Sequence, residues 1–503
     1  MINDNNNYCW FLLGPTGIGK TFVSLKIGQK FNNQIINTDA FSLYKEASIM
    51  TAKATKKEMS QVRHRMINIL DLFNINYHQK LFKKDALKEI NSVFEDGQIP
   101  LIVGGTNYFV ESLLFNYESG ESKDEKIDNT NNINIDNPIE HLEKNEFIKN
   151  LKINNKNFLD DIKKIKIESN NEDTCYSKIK EYLDENFHEK NNNKKDLIKI
   201  LSVIDEKSSN FYNDNDIRRI SKSISYYISY NKKKSDIFNS QIIHLNFEKN
   251  KIIVLLPKDI DALLKRITSR IDQMVEEGLS EIIYIFHKFI LNKKEMNFEL
   301  GVLQSIGYKE FYELYKVLNK DIVNDIYNNH LKEIDNDDEN EQLKKYNKNL
   351  LDNIIYKDDK YKSTFEMCRQ KLINNTLNYA KYQIKFIKKR ILPYISGYKI
   401  VEINNYTKET YVNEYMPQII DYLNNNEYIT VIDSNKNKNK LEEWKRYFCD
   451  ICKCEINGEN DYKSHMKSNK HKKQKEKLKK KEKLNKVLED SKEGNTINEN
   501  KVK

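Results

Sequence analysis

Short apolar runs recur in the first part of the chain and predict buried strands. Three of them carry this signal: Tyr8–Leu13, Gln34–Asn37 and Ile99–Val103. Between them, Phe22–Phe31 and Asp85–Asp96 place apolar residues three and four positions apart, the spacing of an amphipathic helix. Strands that alternate with helices are typical of a parallel sheet covered by helices on its faces, so the pattern predicts an α/β core.

The turns that follow the three strands are the places to look for a site. They comprise residues 14–21, 38–44 and 104–108. Parallel sheets bind their ligands at the carboxyl ends of the strands. We therefore expect these three turns to meet at one edge of the sheet.

The second half of the chain continues the same pattern. Asp216–Tyr230 and Asp261–Ile282 have helical spacing, and Ile252–Leu256 is a further apolar run that predicts a strand. The long helix brings Arg266 and Arg270 onto one face, because residues four apart lie above one another. Further helices are predicted as far as about residue 398.

A segment rich in asparagine and lysine interrupts the pattern between residues 116 and 210. Its stretches Asn129–Asn137 and Asn191–Lys195 are too polar to bury, so we expect mostly loops with some helices there. The predicted organisation is an α/β core (1–115), this insertion (116–210), core completion with a further helical region (211–400), a connector (401–440), a segment rich in cysteine and histidine (441–475) and a lysine-rich tail (476–503).

Composition adds a basic bias to this picture. The 503 residues carry a formal net charge of +9, and residues 469–486 hold ten lysines against two glutamates. A polyanionic partner and a merely solvated tail both fit this bias. The N-terminal sequence MINDNNNYCW has neither the basic-apolar pattern of a signal peptide nor an Arg/Ser-rich transit pattern, and no membrane-length apolar run is present. We therefore expect a cytoplasmic monomer without a membrane segment, with a nuclear or mitochondrial pool as an alternative.

The turn after the first strand carries the clearest chemistry. It completes the pattern G-x-x-x-x-G-K-[ST] with Gly14, Pro15, Thr16, Gly17, Ile18, Gly19, Lys20 and Thr21. Between a strand and a helix, such a loop turns backbone N–H groups and a lysine toward phosphate oxygens. The motif predicts phosphate binding but leaves the reaction open among nucleotide hydrolysis, phosphoryl transfer and the use of another pyrophosphate compound.

A second site is predicted near the C-terminus. Cys449, Cys452, His465 and His471 follow C-x2-C-x12-H-x5-H, a set of two thiolates and two imidazoles that suits tetrahedral Zn²⁺. Cys454 could supply a different third thiolate, although a bystander role is the favoured interpretation. The basic stretch 467–474 that follows suits a nucleic-acid backbone, with protein docking as the alternative.

Seven motifs in order, together with the finger, resemble the tRNA dimethylallyltransferase (tRNA isopentenyltransferase) family in its eukaryotic, zinc-finger form. They are Gly14–Thr21, Ile36–Thr55, Val103–Leu113, Tyr212–Arg219, Leu263–Leu279, Gly301–Phe311 and Tyr379–Lys389. The chain departs from the family pattern in having Asp39-Ala40 for Asp-Ser and in lacking two arginines of the last motif. These departures fall mainly on segments that the resemblance assigns to RNA.

The resemblance implies a P-loop NTPase-like parallel sheet and transfer of a dimethylallyl group from dimethylallyl diphosphate to N6 of adenosine 37, beside the tRNA anticodon. Asp39 is then the expected base, and the resemblance places Thr106 and Arg270 on the diphosphate and Thr16 near the reacting carbon. Mg²⁺ would bridge the diphosphate, with Thr21 as its protein contact. Contacts with the anticodon stem-loop are expected from Asp39, Ala40, Phe41, Ser42, Arg218, Arg219, Lys222, Gln304 and Lys381.

Three rival functions stay open on the sequence. An adenylate isopentenyltransferase would share the P-loop and Asp39 but has no need of a finger. A P-loop RNA-binding ATPase would need a Walker B carboxylate, where strand 101–103 instead ends in Gly104-Gly105-Thr106. The third is an inactive RNA-binding protein that keeps the fold.

Overall fold

The computed structural model describes residues 8–119, 137–153, 156–187, 194–334, 341–432 and 445–480. Parts of the predicted N-terminal segment, insertion, connector and lysine-rich tail therefore lie outside the described residues. Within the described part, the chain forms two compact units. The first contains residues up to Asn116 and those from Ile243 to Ile432; the second contains those from Tyr117 to Ile242 and those after Asp433.

The strands of the described residues are β1 Tyr8–Leu13, β2 Gln34–Asn37, β3 His64–Arg65, β4 Pro100–Val103, β5 Phe115–Ser119, β6 Lys152–Ile153, β7 Lys156–Asn157, β8 Gln241–Leu245, β9 Lys249–Pro257, β10 Ile395–Ser396, β11 Lys399–Ile403, β12 Thr430–Val431, β13 Arg446–Cys449 and β14 Cys454–Asn457.

The α-helices are α1 Lys20–Phe31, α2 Lys56–Gln61, α3 Gln79–Glu95, α4 Asn107–Leu114, α5 Pro138–Glu143, α6 Glu146–Lys149, α7 Phe158–Ile167, α8 Glu172–Asn186, α9 Lys194–Ile204, α10 Glu206–Phe211, α11 Ile217–Tyr230, α12 Lys234–Ser240, α13 Ile260–Leu291, α14 Tyr308–Val317, α15 Lys320–Ile334, α16 Glu341–Leu350, α17 Asp359–Phe386, α18 Lys408–Thr410, α19 Met416–Asn424 and α20 Glu459–Lys467. Short 3-10 turns cover Phe41–Leu43, Gly301–Gln304 and Leu392–Tyr394, and π-helical turns cover Leu351–Ile355, Ile387–Ile391 and Tyr411–Tyr415. In the described part of the chain, none of the helices combines the length and apolar character that crossing a bilayer requires.

A six-stranded parallel sheet forms the centre of the first unit, with strand order β11-β9-β1-β4-β2-β3. Phe11 pairs with Ile102 on one side and with Ile252 on the other, and all three side chains are fully buried. A parallel sheet covered on both faces needs such continuous apolar strands. The predicted α/β class and parallel sheet are confirmed, and β1, β2, β4 and β9 lie where the apolar runs predicted them.

The segment expected to be a connector contributes to this sheet. β11 pairs in parallel with β9 and forms one edge, with Val401 and Ile403 buried and Glu402 exposed. The helical stretch that follows, from residue 408 to 424, adds Tyr411 and Ile419 to the same core. The described part of residues 401–432 is therefore built into the first unit.

The insertion has a core of its own, which corrects the expectation of mostly loops. α5 to α9 cover most of its described residues. Leu142, Phe158, Ile179 and Leu183 are fully buried and belong to a single hydrophobic cluster. α11 joins this cluster through Ile220, Ile224 and Ile228, although the sequence suggested that it belonged to the core completion. The lysines and asparagines lie largely on the outer faces of these helices, so their abundance concealed the helical spacing of the apolar residues.

Candidate active site and zinc centre

The P-loop joins β1 to α1 and is shaped for an anion. Gly19 caps α1 at φ +92°, and a Cβ there would lie 2.5 Å from the Tyr411 hydroxyl oxygen, so glycine is required. The first turn of α1 contains no acidic residue, which leaves its positive end available to phosphate. The ammonium of Lys20 donates to the carbonyl oxygens of Gly14 and Pro15, each at 2.9 Å. Burial lowers the pKa of Lys20 to about 8, despite the opposing effect of Asp39.

Asp39 lies in the turn that follows β2. The N–H of Phe41 donates to Asp39 Oδ1 at 3.1 Å, and the side chain of Asn37 accepts from the N–H of Asp39, also at 3.1 Å. Burial raises the pKa of the Asp39 carboxyl and outweighs the opposing effects of the Phe41 hydrogen bond and the Lys20 charge. A carboxylate with a raised pKa is a better proton acceptor than an ordinary surface aspartate, as a general base requires.

The turn after β4 is fastened to the Asp39 turn. Thr106 donates its N–H to the Thr38 carbonyl at 3.2 Å, and its hydroxyl oxygen accepts from the N–H of Ala40 at 3.0 Å. A Cβ on Gly104 would lie 2.3 Å from the Thr38 hydroxyl oxygen, so this close approach depends on glycine. The structure thus brings together two of the three predicted turns through direct hydrogen bonds.

Arg270 of α13 adds a further positive charge to this site. Burial lowers the pKa of its guanidinium, as does the charge of Arg266, while Asp39 acts in the opposite sense. Among the residues that the structure describes, no carboxylate forms an ion pair with Arg270 or Arg266. The guanidinium of Arg266 donates instead to the Tyr406 carbonyl at 2.8 Å. A desolvated guanidinium without a carboxylate partner suits an anionic ligand.

A cavity of about 580 Å³ lies beside these arginines. It has no acidic residue in its lining, which consists of Ala262, Lys265, Arg266, Ser269, Arg270, Gln273, Asn404, Asn405, Tyr406 and Thr407. The lining includes the turn that follows β11, which reaches the same carboxyl edge of the parallel sheet as the P-loop. The cavity therefore extends the positive character of the P-loop along α13.

Two residues to which the sequence assigned no role also contact the P-loop. The hydroxyl of Tyr411 donates to the Ile18 carbonyl at 2.5 Å. Gln383 of α17 accepts from the N–H of Thr16 at 2.7 Å and donates to the Gly105 carbonyl at 2.8 Å. Their positions far along the chain gave no local signal, although Tyr379 and Gln383 share one face of a predicted helix.

The predicted tRNA contacts are divided between the two units. In the first unit, Ala40, Phe41 and Ser42 lie at the 3-10 turn after Asp39, where Ser42 is buried, whereas Gln304 and Lys381 are exposed. In the second unit, Arg218 and Arg219 are exposed at the beginning of α11, Arg219 pairs with Asp216 at 3.3 Å, and Lys222 lies one turn further along the helix. These contacts stay predictions.

The zinc ligands predicted from the sequence come together in the second unit. The ligand atoms of Cys449, Cys452, His465 and His471 lie within 4.8 Å of one another, and His471 Nδ1 is 3.5 Å from each of the two thiol sulfurs. Two sulfurs and two imidazole nitrogens at these separations fit a tetrahedral zinc ion. Cys454 begins β14 and is not part of this cluster.

Arg446 attaches the finger to the insertion, a contact that the sequence did not predict. Its guanidinium donates to the carbonyls of Ser209 and Tyr212 at 2.8 and 3.0 Å and forms ion pairs with Asp214 and Glu455 at 2.7 and 2.6 Å. The turn that it contacts leads directly into α11. The β13–β14 hairpin of the finger is therefore held against the start of that helix.

We expect Arg446→Met to weaken the predicted tRNA binding roughly 3- to 10-fold without loss of zinc, because the finger loses its guanidinium contacts with the start of α11 and keeps fewer polar contacts there, among them the hydrogen bond from Asn457 to the Tyr212 carbonyl. Filter binding with tRNA and a zinc assay on the same preparation measure the two quantities. Lys445→Met, at the exposed neighbouring position, is the matched control. Equal affinity of the Arg446 and Lys445 variants would contradict the expectation.

Comparisons with known proteins agree with this geometry. A family model described as IPP transferase matches residues 42–390, and one described as zinc-finger of C2H2 type matches residues 447–471. The chain belongs to the IPP transferase family. The second match also confirms the predicted finger and supports zinc as its ion.

Individual relatives cover nearly the whole chain. The tRNA dimethylallyltransferase of Saccharomyces cerevisiae is 24% identical over 92% of this chain and 90% of its own length, and that of Homo sapiens is 25% identical over 92% and 84%. A solved eukaryotic dimethylallyltransferase acting on tRNA has a TM-score of 0.59 at 22% identity, covering 96% of this chain and 100% of that chain. The last likeness supports the fold, and the predicted family is confirmed.

Proposed function

We propose that this protein transfers the dimethylallyl group of dimethylallyl diphosphate to N6 of adenosine 37, the nucleotide 3′ of the tRNA anticodon. The observation that carries the proposal is the pairing of a cationic P-loop with a carboxylate of raised pKa, Asp39, at the same edge of the sheet. Phosphate binding by the P-loop and proton acceptance by Asp39 are the two tasks that this reaction sets.

The diphosphate is the leaving group, and the positive groups around the P-loop are suited to it. Backbone N–H groups of the loop, the Lys20 ammonium and the Arg270 guanidinium would take up its negative charge as the bond to carbon breaks. Lys20 now donates to two carbonyls of its own loop, so it needs only to exchange these acceptors for phosphate oxygens. Thr106 and Thr16 complete the proposed diphosphate and prenyl contacts.

The chemical step breaks the bond between C1 of the dimethylallyl group and the diphosphate oxygen, which leaves with the electron pair. The lone pair of N6 forms the new bond to C1, and Asp39 accepts the proton that the amine loses. An allylic carbon carries developing positive charge well, so the enzyme's main tasks are stabilising the leaving group and removing the proton. Atoms and charge balance without a further reactant.

A magnesium ion suits the diphosphate, and Thr21 is the proposed protein contact. Thr21 is exposed at the first turn of α1, and among the described residues its hydroxyl forms no hydrogen bond with the protein. A hydroxyl and phosphate oxygens are ligands that Mg²⁺ accepts in octahedral geometry. Bound there, the ion would neutralise part of the charge on the leaving group.

The finger favours a tRNA acceptor over free adenylate. Its helix and the following residues 469–480 carry nine lysines, all of them exposed, which form a surface suited to phosphates and of no use to a mononucleotide. A P-loop ATPase is a weaker alternative. Such an enzyme places a metal-binding carboxylate at the end of this strand, whereas β4 is followed by two glycines and Thr106.

We test the function by incubating purified protein and Mg²⁺ with radiolabelled dimethylallyl diphosphate, offering total tRNA or AMP and ATP in parallel. Label in tRNA that maps to adenosine 37 is the expected result. Label in the free nucleotides alone would assign the protein to the adenylate-prenylating type, and the absence of label from both would overturn the proposed chemistry.

Removal of the zinc site separates docking from chemistry. We expect Cys449→Ser to weaken tRNA binding about tenfold while turnover at saturating tRNA stays within about twofold, because a finger unfolds without its metal while the P-loop is unaffected. Kd and kcat on the same preparation measure both. Cys454→Ser, which leaves the four ligands in place, is the control. A large loss of kcat in Cys449→Ser alone would contradict a docking role.

We further propose that the protein acts as a cytoplasmic monomer, with nuclear or mitochondrial pools as alternatives. All three compartments contain tRNA. Cell fractionation followed by immunodetection distinguishes the locations, and light scattering on the purified full-length chain measures the oligomeric state.

A further inference from the structure

Gln383 is a buried polar residue placed between two turns of the site. Its side chain is only 1% exposed, in a helix whose neighbouring residues Lys381 and Tyr382 face solvent. The side-chain oxygen accepts from the N–H of Thr16 at 2.7 Å, and the side-chain nitrogen donates to the Gly105 carbonyl at 2.8 Å. One amide group therefore joins the P-loop to the turn that carries Thr106.

The main chain of Gln383 is held as well. Its carbonyl accepts from the side-chain nitrogen of Asn107 at 3.2 Å, one residue after Thr106. The Gly105 carbonyl receives a second hydrogen bond, from the Tyr379 hydroxyl at 3.1 Å. α17 is thus fixed to the site at two points one helical turn apart, and the geometry of both turns depends on it.

The surroundings specify an uncharged amide. A Cβ placed on Gly105 would lie 3.1 Å from Asp39 Oδ2 and 3.0 Å from the Gln383 nitrogen, so Gln383 is close to the proposed base. Glutamate would lack the donor for Gly105 when ionised and would add negative charge near Asp39. Lysine would lack the acceptor for Thr16. An amide of this length supplies both the donor and the acceptor at every pH, whereas a carboxyl group does so only when it is protonated.

We propose that Gln383 is a positioning residue, which sets Thr16 of the P-loop at a fixed distance from the Thr106 turn and so aligns the diphosphate with Asp39. The inference rests on the proposed function and adds to it a residue that contacts neither substrate. A misplacement of about 1 Å between reacting groups can lower a rate by about 100-fold, so loss of this link falls on the chemical step.

Gln383→Met tests the link, because it keeps the length of the side chain and removes both hydrogen bonds. We expect kcat to fall about 10- to 100-fold, with KM for tRNA changed less than about threefold because the exposed face of α17 is intact. Gln370→Met, an exposed glutamine of the same helix, is the control and should behave as the wild type. An unchanged kcat, or a loss confined to KM for tRNA, would overturn the proposal.

Gln383→Glu adds a readout that a purely structural role does not produce. When protonated, its carboxyl group can accept from Thr16 and donate to Gly105 as the amide does. Asp39, Lys20 and Arg270 also carry charge in this site, so each rate is divided by the wild-type rate at the same pH. We expect this ratio to rise as the pH falls from 8 to 6; a constant ratio would contradict the proposal even if Gln383→Met fails to fold.

Failure of this inference is distinguishable from failure of the proposed function. Hydrogen exchange at the Thr16 amide needs no turnover and reports the hydrogen bond directly. Exchange should be faster in Gln383→Met than in Gln370→Met and the wild type. Equal exchange would overturn the inference, whereas a wild-type protein that labels neither tRNA nor nucleotide would overturn the function and leave the link to be judged by exchange.

Discussion

Replacing Asp39 by asparagine is expected to lower kcat for prenyl transfer by about 100- to 10,000-fold, the range over which removal of a general base acts. The affinities for diphosphate and tRNA should stay within about threefold, because the carboxylate acts on a proton and not on the phosphates. Single-turnover measurement with labelled dimethylallyl diphosphate separates the chemical step from binding.

Asparagine is the informative substitution because it preserves the local structure. Its side-chain oxygen can still accept from the N–H of Phe41, as Asp39 Oδ1 does at 3.1 Å. The folded-state pKa of Asp39 is raised by burial, so the ionised carboxylate opposes folding increasingly as the pH rises through its ordinary value. Asparagine removes that cost, and the melting temperature should not fall. Asp71→Asn, at an exposed aspartate paired with Lys45, is the matched control.

The same pKa shift predicts a pH dependence. Asp39 must be ionised to accept a proton, so kcat/KM should fall as the pH drops through its raised pKa, at a higher pH than an exposed aspartate would give. The acid limb should be absent from the residual activity of Asp39→Asn. If Asp39→Asn keeps wild-type turnover, or if its residual activity still falls at low pH as that of the wild type does, Asp39 is not the base.

The parts of the site that lie in one short stretch could be predicted from the sequence. The P-loop, its strand and its helix are contiguous, and the four zinc ligands lie within 23 residues, counted from Cys449 to His471. Local spacing is sufficient in both cases, because the chemistry and the backbone geometry are encoded by the same few positions. Gly104 and Thr106 follow a strand in the same way.

Long-range partners carried no such signal. β11 has the alternating sequence KIVEI, typical of a half-exposed strand, and only pairing with β9 identifies it as the edge of the core sheet. Tyr411 reaches the Ile18 carbonyl from 393 residues away. Gln383 is a polar residue on a buried helical face, and its partners Thr16 and Gly105 are set by tertiary packing that spacing along the chain does not reveal.

The prediction of mostly loops in the insertion is wrong for a different physical reason. Its composition is dominated by lysine and asparagine, but composition averages over both faces of a helix. α8 contains Cys175, Ile179 and Leu183 at intervals of four, which is enough to bury one stripe in the second core. Asparagine also serves as the N-cap of α5, α6, α7 and α8, so part of its abundance begins helices and does not break them.

Replacing Lys20 by methionine should lower kcat/KM for dimethylallyl diphosphate by about 100- to 1,000-fold, the effect of removing one preorganised charge from the leaving group. Methionine fills a similar volume without charge. The ammonium that now donates to the Gly14 and Pro15 carbonyls is then no longer available to phosphate oxygens, so the binding of inorganic pyrophosphate should weaken as well. Lys26→Met, an exposed lysine of the same helix, is the control.

The pKa of Lys20 gives this prediction a second, independent measurement. Burial lowers that pKa to about 8, so above this pH the free protein increasingly holds an uncharged amine. Pyrophosphate favours the ammonium form, and its binding should therefore take up a proton at pH values above 8 and weaken as the pH rises. Calorimetry in two buffers of different ionisation enthalpy measures the uptake, which should disappear in Lys20→Met.

The uptake experiment also distinguishes Lys20 from the other cations of the site. An arginine guanidinium binds a diphosphate as a permanent cation, so the arginines of the site are not expected to contribute to proton uptake. If pyrophosphate binds the wild type without proton uptake at pH 8.5, the Lys20 ammonium is not the group that meets the leaving group, and the arginine-lined cavity beside α13 would have to hold it. If uptake occurs and is lost only in Lys20→Met, the P-loop lysine holds the leaving group. We then expect kcat/KM to fall at high pH as Lys20 loses its proton, in addition to the fall at low pH that comes from Asp39.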